Sequence, residues 1–207
     1  MPSDKEHTLA TPASLEGTSL HTGEKVTLTI KPAPAGHGFK FCRIDLPDKP
    51  FIEADVEKVE KVERATTLST GTVRVHTVEH VLSALTGMGV DNALIEMDAN
   101  EPPIGDGSAE PYVELIKRAG LQEQDSPRKT WEIREPIHLD TGNGSLVTIV
   151  PSKTFRVSVT NLARRGKFTQ YLSTEVTPEL YESEIAPART FTFYEDIKPL
   201  LDKGLIK

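Results

Sequence analysis

The chain has 207 residues, 37% of them hydrophobic, and a formal net charge of −7, which is enough material for one large domain or two small ones. The acidic balance excludes a nucleic-acid backbone as the main partner, because that interaction draws on clustered Lys and Arg. The segment from Met1 to His7 has no apolar leader core and no run of about 18 apolar residues follows, so a cytoplasmic chain without a transmembrane segment is expected.

From residue 14 to residue 33 the sequence reads as strand, turn, strand. Leu20-His-Thr-Gly23 forms the turn, and Val26, Leu28 and Ile30 alternate with Thr27, Thr29 and Lys31. A Pro- and Gly-rich loop covers residues 32–38, a short strand residues 39–44, and an alternating stretch carries Val56, Val59 and Val62. Cys42 is the single cysteine; it excludes an internal disulfide and reads as a small buried hydrophobe in a reducing compartment.

The spacing of Val78, Val81, Leu82 and Leu85 predicts a helix from near residue 77 to 87 that packs one stripe on a sheet. A strand is expected over 91–97 and a turn-laden connection over 98–108. Ser108 stands as N-cap of a second helix over 109–119, which Gly120 stops. Residues 122–129, polar and interrupted by Pro127, have the composition of a linker.

After that stretch the pattern restarts. Leu20-His-Thr-Gly-Glu-Lys-Val-Thr-Leu-Thr-Ile-Lys-Pro32 aligns with Leu139-Asp-Thr-Gly-Asn-Gly-Ser-Leu-Val-Thr-Ile-Val-Pro151 with one inserted residue. Either two hairpins happen to share a turn or a sheet-plus-helices unit occurs twice, joined near residue 125. Strands are expected over 131–139, 146–150 and 155–160, and a helix over 193–203.

The chemistry concentrates in His76-Thr-Val-Glu-His80. At about 100° per residue a helix would set His76, Glu79 and His80 on one face, opposite the apolar stripe. Imidazoles that bind zinc beside a carboxylate that takes a proton from bound water form a hydrolytic grouping. The same spacing matches an inverzincin-type peptidase with His76 and His80 as ligands. A solvated helix face is the bland alternative.

Four motifs in order carry a more specific signal: Gly17-Thr-Ser-Leu-His-Thr-Gly23, Thr77-Val-Glu-His80, Pro103-Ile-Gly-Asp-Gly-Ser-Ala109 and Ala188-Arg-Thr-Phe191. Over nearly its whole length the chain resembles the zinc-dependent UDP-3-O-acyl-N-acetylglucosamine deacetylases of lipid A biosynthesis. The resemblance implies an α+β fold of two similar sheet-plus-two-helix domains in a layered sandwich, with the active site between them. On this sequence those domains are residues 1–125 and a second, incomplete 126–207.

The implied activity is hydrolysis of the N-acetyl group of UDP-3-O-acyl-N-acetylglucosamine to the free amine and acetate, in a Gram-negative bacterium. By the same resemblance, His80 is a ligand to Zn²⁺, Glu79 the general base, and Thr190 a hydroxyl that helps hold the oxyanion. Phe191 and Asp196 lie near the acyl-sugar, and His21 near the sugar or its diphosphate. His76 is not a ligand in the family. The family's remaining ligands, in a His-x-x-x-Asp helix, fall beyond residue 207, so the chain is expected to be inactive alone. Fusion to a fatty-acid dehydratase occurs in some members.

The peptidase reading and a non-catalytic remnant are the alternatives to this activity. Asp98, Glu101 and Asp106, interleaved with Pro and Gly, read as turn chemistry and not as a cation site. Arg164-Arg-Gly-Lys167 reads as a solvated basic loop. Ile197, Leu200 and Leu201 are candidates for an acyl channel on the last helix.

Overall fold

The computed structural model describes residues 4–62, 64–142, 144–163 and 168–202, with the side chains of Ala163, Asp196, Leu200 and Leu201 outside that description. Its strands are β1 (Lys5–Leu9), β2 (Ala13–Thr18), β3 (Lys25–Pro32), β4 (Phe39–Arg43), β5 (Phe51–Glu53), β6 (Val59–Val62), β7 (Thr66–Thr70), β8 (Val73–Val75), β9 (Ala93–Met97), β10 (Leu121–Pro127), β11 (Ile137–Asp140), β12 (Leu146–Ile149), β13 (Arg156–Ala163) and β14 (Phe168–Glu175). Helices are α1 (Glu79–Gly87), α2 (Glu110–Ala119), the single turn α3 (Pro178–Leu180) and α4 (Tyr194–Asp202).

Alternation in β3 and β9 builds the main layer. Val26, Leu28 and Ile30 point one way from β3, as Ala93, Ile95 and Met97 do from β9, and all six are buried. These strands pair antiparallel within a five-stranded sheet of order β2-β3-β9-β4-β5, in which β4 runs parallel to β9. Val78, Val81 and Leu85 of the α1 stripe share the resulting core with Tyr112, Val113, Leu115 and Ile116 of α2. Each fully buried Leu, Ile or Val contributes roughly 1.5–3 kcal/mol, so this layer dominates the stability of the first half. The architecture is α+β, as the sequence predicts.

Several local expectations are corrected. Residues 122–129 are not a linker, because β10 pairs antiparallel with β1. Composition misled here because the partner strand lies more than a hundred residues away. A polar knot seals that pairing. Asn92 donates to Glu6 Oε2 at 2.9 Å and to Gln124 Oε1 at 2.8 Å, and its Oδ1 accepts from the Gly38 amide at 2.8 Å. Residues 56–62 divide into a 3₁₀ turn, Val56–Lys58, and the strand β6, with Val56 and Val62 exposed.

In the second half, β11–β12 and β13–β14 are separate antiparallel hairpins. Trp131 is 95% exposed and lies outside any strand, and β14 was not foreseen. The repeated Thr-Gly turns do share a backbone feature, since Gly23 and Gly142 have φ of 70° and 73°. Among the described residues, the second half contributes only Tyr181 and Ala186 to the main core. Leu139, Leu146, Leu162 and Leu172 of its hairpins are exposed.

Candidate functional site

Helix α1 begins later than its apolar spacing implies, and the reason is Thr77. Its φ of 53° places a β-branched residue in the left-handed region, so the chain turns sharply before Glu79. His76 therefore stands off the helix. Its amide donates to the Asn100 carbonyl at 2.8 Å, and its Nδ1 lies 3.0 Å from Thr67 Oγ1. Burial pushes the His76 imidazole below its ordinary pKa, against the opposing pull of the Glu101 carboxylate. His76 is thereby taken off the helix face that the spacing predicts for it, and Glu79 and His80 stay in the first turn.

Glu79 and His80, both half-buried, open the first turn of α1. A carboxylate is favoured there by the free amides and the positive end of the helix. Glu79 Oε2 also accepts from the Thr66 amide at 3.0 Å, which orients the carboxylate toward the start of β7. The carboxylate and imidazole thus occupy adjacent positions at the mouth of a helix, with Thr66 bonded to the carboxylate.

The turn holding His21 is fastened from below. Glu101, fully buried, accepts from the His21 amide at 3.0 Å, from the Thr22 amide at 3.0 Å and from Thr77 Oγ1 at 2.7 Å. Ser19 and Glu24 close the turn, with Ser19 N–H donating to the Glu24 carbonyl at 2.9 Å. The His21 backbone is in this way joined to the residue that precedes Val78 and Glu79.

Thr190 is held by residues 103–109. Its amide donates to the Gly107 carbonyl at 2.8 Å, while Arg189 Nε donates to the Asp106 carbonyl at 2.7 Å. Gly107, at φ 89°, leaves ordinary van der Waals room for the Thr190 methyl. Asp106 accepts from the Ser108 hydroxyl at 2.7 Å and from its amide at 3.0 Å, which holds the Asp106 carboxyl below the usual range. Thr190 is not a helix cap, since α4 starts at Tyr194. Ser108 comes close to the capping role expected of it, accepting from the Glu110 amide at 3.1 Å, although Ala109 is the residue at the cap position.

Phe191 forms an aromatic trio with Phe168 and Phe193, at centroid separations of 5.5–6.2 Å, and remains 59% exposed. Asp196 lies on α4, but its side chain is outside the described residues, as are those of Leu200 and Leu201. The basic stretch from Arg164 to Lys167 is outside them as well.

A catalytic zinc takes three protein ligands and leaves one position open. Among the described residues, no group of three or more His, Cys, Asp or Glu side chains is arranged to hold a metal. Sequence reasoning missed Thr66, Thr67 and the role of Glu101. The left-handed Thr77, which bonds Glu101, has no signature in periodicity.

Fold and site together define an α+β protein with a carboxylate–imidazole pair at the mouth of a helix and the Thr190 segment docked on the connection around Gly107. Residues 6–207 match the family model described as UDP-3-O-acyl N-acetylglycosamine deacetylase, and the chain belongs to that family. It is 42% identical over 206 residues to a protein of Porphyromonas gingivalis named bifunctional enzyme LpxC/FabZ, covering 98% of this chain and 44% of that protein. It is 40% identical over 203 residues to the UDP-3-O-acyl-N-acetylglucosamine deacetylase of Myxococcus xanthus, covering 98% of this chain and 64% of that one. Against the enzyme of the same name from Methylococcus capsulatus the figures are 41% over 199 residues, with 95% and 65% covered. The chain thus spans about half to two thirds of the length of these relatives.

Proposed function

We propose that the protein acts in the hydrolysis of the N-acetyl group of UDP-3-O-acyl-N-acetylglucosamine, releasing acetate and the free amine, within lipid A biosynthesis. The observation that carries this reading is Glu79, aimed by the Thr66 amide and adjacent to His80, in a chain of the deacetylase family. In amide hydrolysis the attacking water loses a proton, and Glu79 is the carboxylate proposed to accept it. The carbonyl oxygen gains charge as the carbon becomes tetrahedral, and Thr190 Oγ1 is the hydroxyl proposed to donate to it. The carbon–nitrogen bond then breaks as the nitrogen takes up a proton.

Zinc enters the proposal through His80 as one of its ligands. His21, Phe191 and Asp196 are proposed to contact the nucleotide-linked acyl-sugar. The exposed ring of Phe191 beside Phe168 supplies an apolar surface suited to an acyl chain. Residues 1–125 and 126–207 are proposed as the two domains. Among the described residues no helix is long and apolar enough to cross a membrane, and a cytoplasmic location is part of the proposal. Two relatives bear the name of a bifunctional enzyme, which supports a longer protein carrying a fatty-acid dehydratase unit as a further proposal.

The peptidase alternative is not favoured, because Thr77 takes His76 off the helix face that the reading required. The test is acetate release and zinc content in the longer protein that contains this chain and matches its relatives in length, as wild type, Glu79→Gln and His80→Ala. Retained zinc with at least a hundredfold lower turnover in Glu79→Gln, and lost zinc in His80→Ala, are expected. Unchanged turnover in Glu79→Gln would remove the proposed base.

A further inference from the structure

Glu101 is the most deeply buried carboxylate near the site, at 0% exposure, and its partners are a hydroxyl and two backbone amides. Neutral donors offset only part of the cost of holding a carboxylate away from water, so such a group is expensive to keep as mere turn chemistry. Its bonds also leave its own loop. They run to His21 and Thr22, 80 and 79 residues earlier, and to Thr77, 24 residues earlier. Asp106, by contrast, satisfies Ser108 two residues on.

We propose that Glu101 is a positioning residue for the candidate active site: its carboxylate braces the His21 turn against Thr77, and so sets where the Glu79–His80 end of α1 lies relative to His21. The inference rests on the reading of Glu79 and His80 given above.

The two oxygens divide the work. Oε2 takes the amides of His21 and Thr22, each at 3.0 Å, and Oε1 takes the Thr77 hydroxyl at 2.7 Å with a longer contact of 3.2 Å to the His21 amide. A left-handed Thr persists only where its surroundings hold it. Here the Oγ1 bond to Glu101 and the Val78 amide on the Thr66 carbonyl, at 3.4 Å, hold it from two sides. If Thr77 relaxes to the ordinary helical region, the helix can add a turn backward and the direction of His80 changes. An amide at position 101 keeps the shape but presents a donor to donors.

The experiment compares the full 207-residue chain as wild type, Glu101→Gln, Thr77→Val and Thr77→Ser, by backbone NMR and by the visible spectrum and affinity of added Co²⁺. Expected are a cooperative fold, joint movement of the His21, Thr22 and Thr77–His80 amide resonances in Glu101→Gln, and a tenfold or greater loss of Co²⁺ affinity. Thr77→Val should reproduce the shifts at His21 and Thr22 without touching that turn. Thr77→Ser, which keeps the hydroxyl, should restore both readouts. The brace is refuted if resonances of one segment move while the other stays still, or if Co²⁺ affinity is unchanged in a variant whose wild type binds it. Should Glu101→Gln not fold, the two Thr77 variants decide the matter alone. A wild type that binds no Co²⁺ agrees with a metal site whose further ligands are expected beyond residue 207, and the NMR shifts then decide the brace.

Discussion

The hydroxyl of Tyr181 lies 2.8 Å from Ser83 Oγ, and its ring covers Gly87 so closely that a Cβ there would fall 2.4 Å from ring carbon. This contact docks the segment leading to Thr190 onto the outer side of α1. Tyr181 is 96% buried in consequence, its exposure being 4%. Gly87→Ala is expected to cost about 1–3 kcal/mol, since the buried Tyr181 ring or the helix must shift to admit the methyl. Urea unfolding of the variant measures the cost. Tyr181→Phe, which keeps the ring and loses only the hydrogen bond, should cost about 1 kcal/mol.

Gly107 presents a second, sharper test of how Thr190 is held. At φ 89°, an alanine is unfavourable by roughly 1–2 kcal/mol, and the carbonyls that bind Thr190 and Arg189 turn with the backbone. Because the Arg189 side chain donates to the Asp106 carbonyl, it is tied down in the wild type. Trypsin cleavage after Arg189 is therefore expected to accelerate several-fold in Gly107→Ala, read by mass spectrometry, and deacetylation to weaken in parallel.

His76 gives the site a pH dependence of known sign. Its folded pKa is lowered from 6.5, burial being the main cause, so the folded state binds fewer protons than the unfolded one. The associated stability is complete above the unfolded value and is lost as pH falls through the folded one. Between about pH 7.5 and pH 5 the melting temperature should drop, and His76→Gln should flatten the drop. An equally steep decline in the variant would assign the effect to other groups.

Arg128 anchors the end of β10 with bonds that lysine cannot reproduce. Its guanidinium donates to Asp91 Oδ2 at 2.7 and 3.1 Å and to the Gly89 carbonyl at 2.8 Å, with Arg128 only 20% exposed. Arg128→Lys is expected to lose about 1–2 kcal/mol in urea unfolding and to speed hydrogen exchange in β1 and β10.

What the sequence reveals depends on how locally each feature is determined. Alternation placed Val26, Leu28 and Ile30 on the buried face, and the α1 stripe identified Val81 and Leu85 correctly, because burial of one face is written in periods of 2 and 3.6. Gly120 stops α2 at φ 70°, as glycine at a helix end suggests. The strand β10 was illegible because polar residues pair as readily as apolar ones when a distant edge is offered. His76 was placed wrongly for a different reason: spacing assumes a continuous helix, and one left-handed residue voids it. Glu101 looked like part of a turn because nothing in residues 98–108 discloses that its partners lie in two other segments.

The connection from Asp98 to Ala109 has a kinetic consequence. It contacts Thr27, His21, Thr22, His76 and Thr77 on one side and Ala186, Arg189 and Thr190 on the other, across separations of up to 83 residues. Loops of that length must close before these bonds contribute, so their entropy is spent first. The site is thus set to assemble after the β2–β3 hairpin and α1, whose contacts are nearer in sequence. Partly folded forms would hold the β2–β3 hairpin and α1 without the brace.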